Sequence, residues 1–228
     1  MAQSALVTGG SRGIGLAIAR MLAEEGFALT LAARNAERVE AAAEGLGALA
    51  VTADVSEEGD CERLVAEHVG RYGGLDVLVN SAGIGIGGNV ETLSTKHIDL
   101  QLDVNIRGLV LVTRNAMPHL RKSRGVVVNL ASIAGTIATP GLSIYGASKA
   151  AVISFTRSLN QELDGDGVRA TALCPAFVDT DMATWSGIPG EEMIQPEDCA
   201  EVVRLLLRLT PRARIPQVVI ERVGSGSA

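Results

Sequence analysis

The sequence predicts an α/β fold, a doubly wound parallel sheet of about seven strands in a single domain over residues 1–228. Short apolar runs alternate with longer stretches of helical periodicity along the whole chain, the pattern of strands joined by crossover helices. A glycine-rich turn separates the first apolar run from the first helical stretch. No long linker or repeat divides the chain, and 228 residues suffice for one well-buried domain.

The first strand is expected at 4–8, centred on Ala5-Leu6-Val7. Thr8-Gly9-Gly10-Ser11-Arg12-Gly13-Ile14-Gly15 follows it. The next stretch, 16–23, is rich in helix formers with apolar spacing of three and four. Strand, glycine turn and helix in this order suit a diphosphate, as in Rossmann-type folds. Small residues let it approach the backbone, and the helix N-terminus offers N–H donors and partial positive charge. Further strands are expected near 28–32, 48–53, 75–80, 125–131, 168–174 and 217–221. Helices are expected over 104–120, with Pro118 near the end, and over 143–163. Pro196 suits the first turn of a last helix, with Glu197 and Asp198 behind it and Arg204 and Arg208 near its other end. Residues 224–228, Gly-Ser-Gly-Ser-Ala, read as a flexible end.

The second strand runs out at Ala33-Arg34-Asn35, about twenty residues beyond the glycine loop, where a dinucleotide fold reads the adenosine ribose. An acid there would bind the 2′-hydroxyl of NAD, and an arginine suits the 2′-phosphate of NADP. Arg34 is basic, Arg12 in the loop is a second candidate, and no acid stands at the strand end. The expected cofactor is NADP, as NADPH.

Tyr145-Gly146-Ala147-Ser148-Lys149 falls inside the helix expected at 143–163, so Tyr145 and Lys149 share a face one turn apart. A free phenol has a pKa near ~10 and is a poor acid or base at neutral pH. An ammonium beside it is expected to lower that pKa and make the tyrosine a usable proton donor and acceptor for a carbonyl/alcohol pair. Alone, such a pair is a common surface arrangement of helices.

Together these motifs resemble the short-chain dehydrogenase/reductase family over nearly the whole chain. Residues 8–15 are similar to its cofactor loop, which implies contacts from Gly9, Ser11, Arg12, Gly13, Ile14 and Gly15. Asp54-Val55 resembles the pair that contacts adenine. Asn80-Ser81-Ala82-Gly83 resembles the family's Asn-Asn-Ala-Gly, with Ser81 a departure, and implies contacts from Asn80, Ala82 and Gly83. Asn105 matches the helix asparagine of the catalytic tetrad, and Ser132, thirteen residues before Tyr145, matches its serine. Pro175-Ala176-Phe177-Val178-Asp179-Thr180 resembles the segment beside the nicotinamide, with Ala176 replacing glycine, and implies contacts from Pro175, Val178 and Thr180.

The resemblance implies that Tyr145 protonates the alkoxide as hydride reaches the carbonyl carbon, while Ser132 donates a hydrogen bond to the substrate oxygen. Lys149 would hold the nicotinamide ribose, and Asn105 would anchor a water linking Lys149 to solvent. A homotetramer is implied too, built on the helices at 104–120 and 143–163. These carry small and apolar residues such as Ala147, Ala150, Ala151, Val152 and Phe155 on more than one face. Family reductases of acyl-carrier-bound ketones place arginines before the fifth and sixth strands. The matching positions here are Ser123 and Asp166, although Arg121, Lys122 and Arg124 are close by.

Net charge is −6 without a basic block, so nucleic acid is not an expected partner. No apolar run approaches the ~20 residues of a membrane span. Met1-Ala2-Gln3-Ser4 leads into the first strand without the features of a secretory signal. Cys61, Cys174 and Cys199 are odd in number and far apart, which suggests reduced thiols in a cytoplasmic protein. His68, His97 and His119 lack metal-ligand spacing and are expected on helix surfaces, so no metal is expected.

The leading expectation is an NADPH-dependent carbonyl reductase acting on a small molecule. An NAD(P)-dependent alcohol dehydrogenase working oxidatively is an alternative, as is a cofactor-binding sensor without turnover. The segment 181–195 should cover the site. Its Met182, Trp185, Ile188 and Met193 either form an apolar substrate face or pack the lid down.

Overall fold

The computed structural model describes residues 3–224, so most of the expected flexible end lies outside the described residues. Seven strands form one sheet: β1 (Ser4–Thr8), β2 (Ala28–Ala33), β3 (Leu49–Thr52), β4 (Val77–Asn80), β5 (Val126–Leu130), β6 (Arg169–Pro175) and β7 (Gln217–Ile220). All pairings are parallel, in the order β3-β2-β1-β4-β5-β6-β7. Each strand lies within a residue or two of its expected range.

The helices are α1 (Gly13–Glu24), α2 (Ala36–Glu44), α3 (Glu58–Tyr72), α4 (Thr95–Leu102), α5 (Leu109–Ser123), α6 (Ser143–Glu162) and α7 (Pro196–Arg208). Successive strand residues alternate between the two faces of the sheet. Val7, Leu31, Val79 and Val128 pack with Ile18 and Leu22 of α1, Val39 of α2 and Val203 of α7. Leu6, Leu78 and Val127 pack with Leu64 of α3, Val112 of α5 and Leu159 of α6 on the other side. Burial on both faces explains why the strands read as unbroken apolar runs.

Strand order reverses between β1 and its neighbour β4, where Thr8 pairs with Asn80. Loops leaving the carboxyl ends of these strands diverge to opposite faces and open a crevice. The last helix is framed as expected: Gln195 and Asp198 form a reciprocal cap, Pro196 opens the first turn, and Arg208 lies in the last turn. Arg204 instead reaches across to α1, bonding Glu24 at 2.8 Å and Glu25 at its C-terminus.

Two expectations need correction. The stretch 104–120 is not one regular helix: residues Asp103–Gly108 form a π-helical turn between α4 and α5. Asn105 sits in it with its side chain drawn inward, accepting from Ile84 N at 2.8 Å and donating to Ile84 O at 2.8 Å. His68 is not on a surface either. It is fully buried under β1 and β2, with Nδ1 2.8 Å from Thr30 Oγ1 and Nε2 3.3 Å from Ser4 Oγ. Of the other histidines, His97 is exposed and His119 half-buried.

Burial pushes the His68 pKa down from 6.5 to about 4. The folded state therefore prefers the neutral ring. Its contribution is complete above pH 6.5 and is lost as pH falls through about 4. Full loss is worth up to about 3 kcal/mol. Urea denaturation across this window should show a loss of stability that is absent in His68→Leu; parallel profiles for the two proteins would contradict it.

Candidate active site

The glycine loop works by close approach. A side chain at Gly15 would place its first carbon 2.3 Å from Gly9 O, and one at Gly9 would sit 2.8 Å from Ala82 N. Gly9 also has φ of 66°, where glycine alone is unstrained. The loop thus folds flat against the residues after β4 and feeds into α1. Arg12, the residue before α1, makes no side-chain cap to the first-turn N–H groups. N–H groups at a helix N-terminus beside glycine backbone fit the diphosphate of a nicotinamide dinucleotide.

A cleft of about 550 Å³ runs from this loop across the strand ends. Gly9, Ser11, Arg12, Gly13, Ile14, Gly15, Arg34, Asp54, Val55, Ala82, Gly83 and Thr180, expected as cofactor contacts, all line it. Five expected contacts do not: Lys149, which lies beside Gly83 of its wall, Tyr145, which lies beside Gly85, and Asn80, Pro175 and Val178. Asn80 turns into the protein, donating to Thr113 Oγ1 at 3.0 Å and to Asn129 Oδ1 at 2.9 Å. Asn129 in turn donates to Thr156 Oγ1 at 2.9 Å, so Asn80 ties the sheet to α5 and α6. Pro175 ends β6, and Val178 is buried where the chain bridges to Ile194.

Arg38, Asn35 and Arg20 also line the cleft and were not expected. Asn35 caps α2 by accepting from Arg38 N at 2.8 Å, which fixes Arg38 in the first turn near Arg34. The capping asparagine was the available signal for this third arginine. Arg12 pairs with Asp181 at 2.5 Å, and Arg34 stands 4.0 Å from Asp54. Both pairs are exposed to solvent and weak, so the guanidinium groups are free to exchange partners.

The catalytic candidates gather beside Gly83, which lines the cleft. Ser132 follows β5 in extended backbone and caps a short turn, Ile133–Gly135, accepting from Ala134 N at 3.2 Å. This turn lies directly on α6. A side chain at Gly135 would come within 2.7 Å of the Lys149 backbone, and one at Gly146 within 2.7 Å of Ala134 O. Two glycines thus let backbone touch backbone and bring Ser132 to Tyr145 and Lys149. Gly83, in the cleft wall, completes the group: a carbon added there would be 3.4 Å from both Asn105 Oδ1 and Lys149 Nζ. Asn105 also donates to Ser148 Oγ at 3.1 Å, linking the π-helical turn to α6.

Charge states differ from the expectation. Lys149 is buried and donates to Leu130 O at 2.7 Å, with Nζ 5.8 Å from the centre of the Tyr145 ring. Burial lowers its pKa from 10.5 to about 8. Burial also raises the Tyr145 pKa, and a hydrogen bond with Ser132 opposes this only in part. Lys149 therefore does not depress the tyrosine pKa as expected: its ammonium is directed to a strand carbonyl, and desolvation of the phenol prevails. Tyr145 is a proton-bearing phenol held against a serine, which is the form an acid needs.

In the lid, Asp181–Ser186 and Gly190–Glu192 form short 3₁₀ turns. Met193 is buried and packs the lid down, whereas Met182 and Trp185 remain 43% and 64% exposed. The expectation for these apolar residues thus splits. Cys61, Cys174 and Cys199 are buried free thiols, and no helix among the described residues is long and apolar enough to cross a membrane.

Comparison with known proteins agrees with this arrangement. A family profile described as short chain dehydrogenase matches residues 3–187. The 2-(R)-hydroxypropyl-CoM dehydrogenase of Xanthobacter autotrophicus is 37% identical, covering 95% of this chain and 85% of its own. An alcohol dehydrogenase from Thermococcus sibiricus, solved with 5-hydroxy-NADP, superposes with a TM-score of 0.91 at 32% identity, over 98% of this chain and 97% of that one. A 3-ketoacyl-(acyl-carrier-protein) reductase from Brucella melitensis, solved with NADH, gives 0.90 at 31% identity over 96% of each chain. With a glycine-cradled cleft and with Lys149 beside its Gly83, this chain belongs to the short-chain dehydrogenases, oxidoreductases of alcohol and ketone groups that use a nicotinamide cofactor.

Proposed function

We propose that the chain is an NADPH-dependent carbonyl reductase. The observation that carries this is the lining of the cleft by Arg12, Arg34 and Arg38, with Lys149 and Asn105 beside its Gly83 and Tyr145 one turn from Lys149 on α6. Protonated Tyr145 is the donor that reduction of a carbonyl requires. Bound NADPH would supply the hydride. Ser132 Oγ and the Tyr145 hydroxyl hold the carbonyl oxygen, and Tyr145 delivers its proton as negative charge develops there. Lys149 Nζ is within reach of Gly83, so it would turn from Leu130 O toward a ribose hydroxyl and stay hydrogen-bonded throughout. Asn105 holds the backbone of Ile84 and so fixes the wall opposite Lys149. Carbonyls freed by the π-helical turn are where a water relay to Lys149 would attach.

Arg34, Arg38 and Arg12 support a 2′-phosphate, since charge-assisted hydrogen bonds contribute roughly 1.5–3 kcal/mol each. Calorimetry should give a lower Kd for NADPH than for NADH, with Arg34→Asp closing the gap by about tenfold or more. Equal affinities in the unmodified protein would exclude the NADP assignment. The outward faces of α5 and α6, including Ala147 and Ala150, would join subunits in a homotetramer, and light scattering gives the mass that decides it. Buried free thiols support a reducing, cytoplasmic setting, which fractionation of the native host would check.

A further inference from the structure

We infer that this site takes an uncharged ketone or aldehyde whose larger substituent is apolar, and that Gly85 sets how large that substituent is; this rests on the carbonyl-reductase reading above. Along the segment after β4, Gly83, Gly85 and Gly87 alternate with Ile84 and Ile86. Ile84 is partly buried against the core and also lines the cleft, and the Ile86 backbone N–H bonds Gln101 Oε1 at 3.0 Å. Gly83 and Gly85 face the chemistry, whereas Gly87 faces Gly141 and Leu142. A side chain at Gly85 would put its first carbon 3.6 Å from the edge of the Tyr145 ring and 3.8 Å from Met182 Sδ. These are ordinary contact distances, so one methyl group fills the space between the proton donor and the lid.

Leaving that space bare gives room to a substrate group beside the reacting carbonyl. Met182 supplies an apolar wall on the lid side, and Trp185, on the same 3₁₀ turn, is exposed and lies edge-on to Phe177 at 5.9 Å. Charge restricts the substrate further. Segments 84–93, 133–144 and 181–195, which follow β4, β5 and β6, carry the carboxylates of Glu91, Asp181, Glu191 and Glu192 and no lysine, arginine or histidine. Of the cations that reach them from elsewhere, Arg222 is paired with Glu192 at 3.5 Å, and Arg12 leaves Asp181 when it turns to the 2′-phosphate of the proposed cofactor. An anionic substrate would then enter past a mouth that is net negative. Arg121, near the position where acyl-carrier reductases have arginine, is paired with Asp166 at 3.2 Å.

The test is NADPH consumption by the purified full chain on two matched pairs, 2-butanone with acetophenone and methyl acetoacetate with acetoacetate. Wild type should reduce the ester at least about tenfold more efficiently than the acid anion, the scale on which a misplaced group is rejected by a shaped site. Gly85→Val should raise the kcat/KM ratio of 2-butanone to acetophenone about tenfold or more, with Gly85→Ala between it and wild type. NADPH fluorescence titration of each variant certifies its fold. An unchanged ratio in variants that bind NADPH overturns the role of Gly85. Equal or better use of acetoacetate overturns the charge assignment. Wild type that binds NADPH and reduces none of the four compounds overturns the reductase reading itself, a result distinct from either of the others.

Discussion

Tyr145→Phe is expected to lower turnover by at least ~10²–10⁴-fold while leaving NADPH binding close to that of the unmodified protein. The substitution removes the transferable proton and keeps the ring, so packing against Gly85 and Lys149 survives. Burial holds the phenol protonated, with its pKa above the ordinary 10. The tyrosine's own contribution to reduction by wild type should accordingly stay level through neutral pH and fall only in alkaline solution, as its proton is lost. Steady-state kinetics on any accepted ketone, paired with a cofactor titration, reads both quantities. Near-normal turnover in a Phe variant that binds NADPH would show that Tyr145 is not the acid.

Lys149→Met should abolish most activity and yet stabilise the protein at neutral pH. Lys149 is 5% exposed, and burial depresses its pKa from 10.5 to about 8. A depressed folded-state pKa means that stability is greatest above 10.5 and is lost as pH falls through about 8. At pH 7 the buried ammonium therefore imposes its full cost, on the order of 1–3 kcal/mol, and methionine of similar length removes it. The orphaned Leu130 carbonyl trims this gain. Urea midpoints should be higher for the variant at pH 7 and converge with wild type above pH 10; a less stable variant at pH 7 would refute the assignment. A residue that destabilises its own fold is retained for what it does in the site.

Much of this was legible in the sequence because it depends on periodicity and on glycine. The strands are buried on both faces and so appear as short apolar runs, and the capping signal at Gln195 to Asp198 depends on local chemistry. The unseen features depend on distance. His68 falls on an amphipathic helix, and nothing local tells that Thr30 and Ser4 will meet it from strands far away in the chain. Asn80 sits in a motif that suggested a cofactor contact, but its register opposite Asn129 turns it into the sheet. The partner of Lys149 is a backbone carbonyl, which leaves no mark on composition. The tyrosine pKa went the wrong way because spacing on a helix states proximity but not solvent exclusion.

The contact of Gly135 and Gly146 has a wider consequence. It sets the serine relative to the tyrosine and the lysine through main-chain packing of the Ile133–Gly135 turn on α6, away from the lid segment 181–195. Precision in the chemistry is thus insulated from variation in recognition. Loops around the mouth can be exchanged, lengthened or redesigned for a new ketone while the acid keeps its aim, and selection or a protein engineer can treat catalyst and selectivity as separable modules. The converse holds as well: a side chain at either glycine would disturb every substrate alike, however well the mouth fits it.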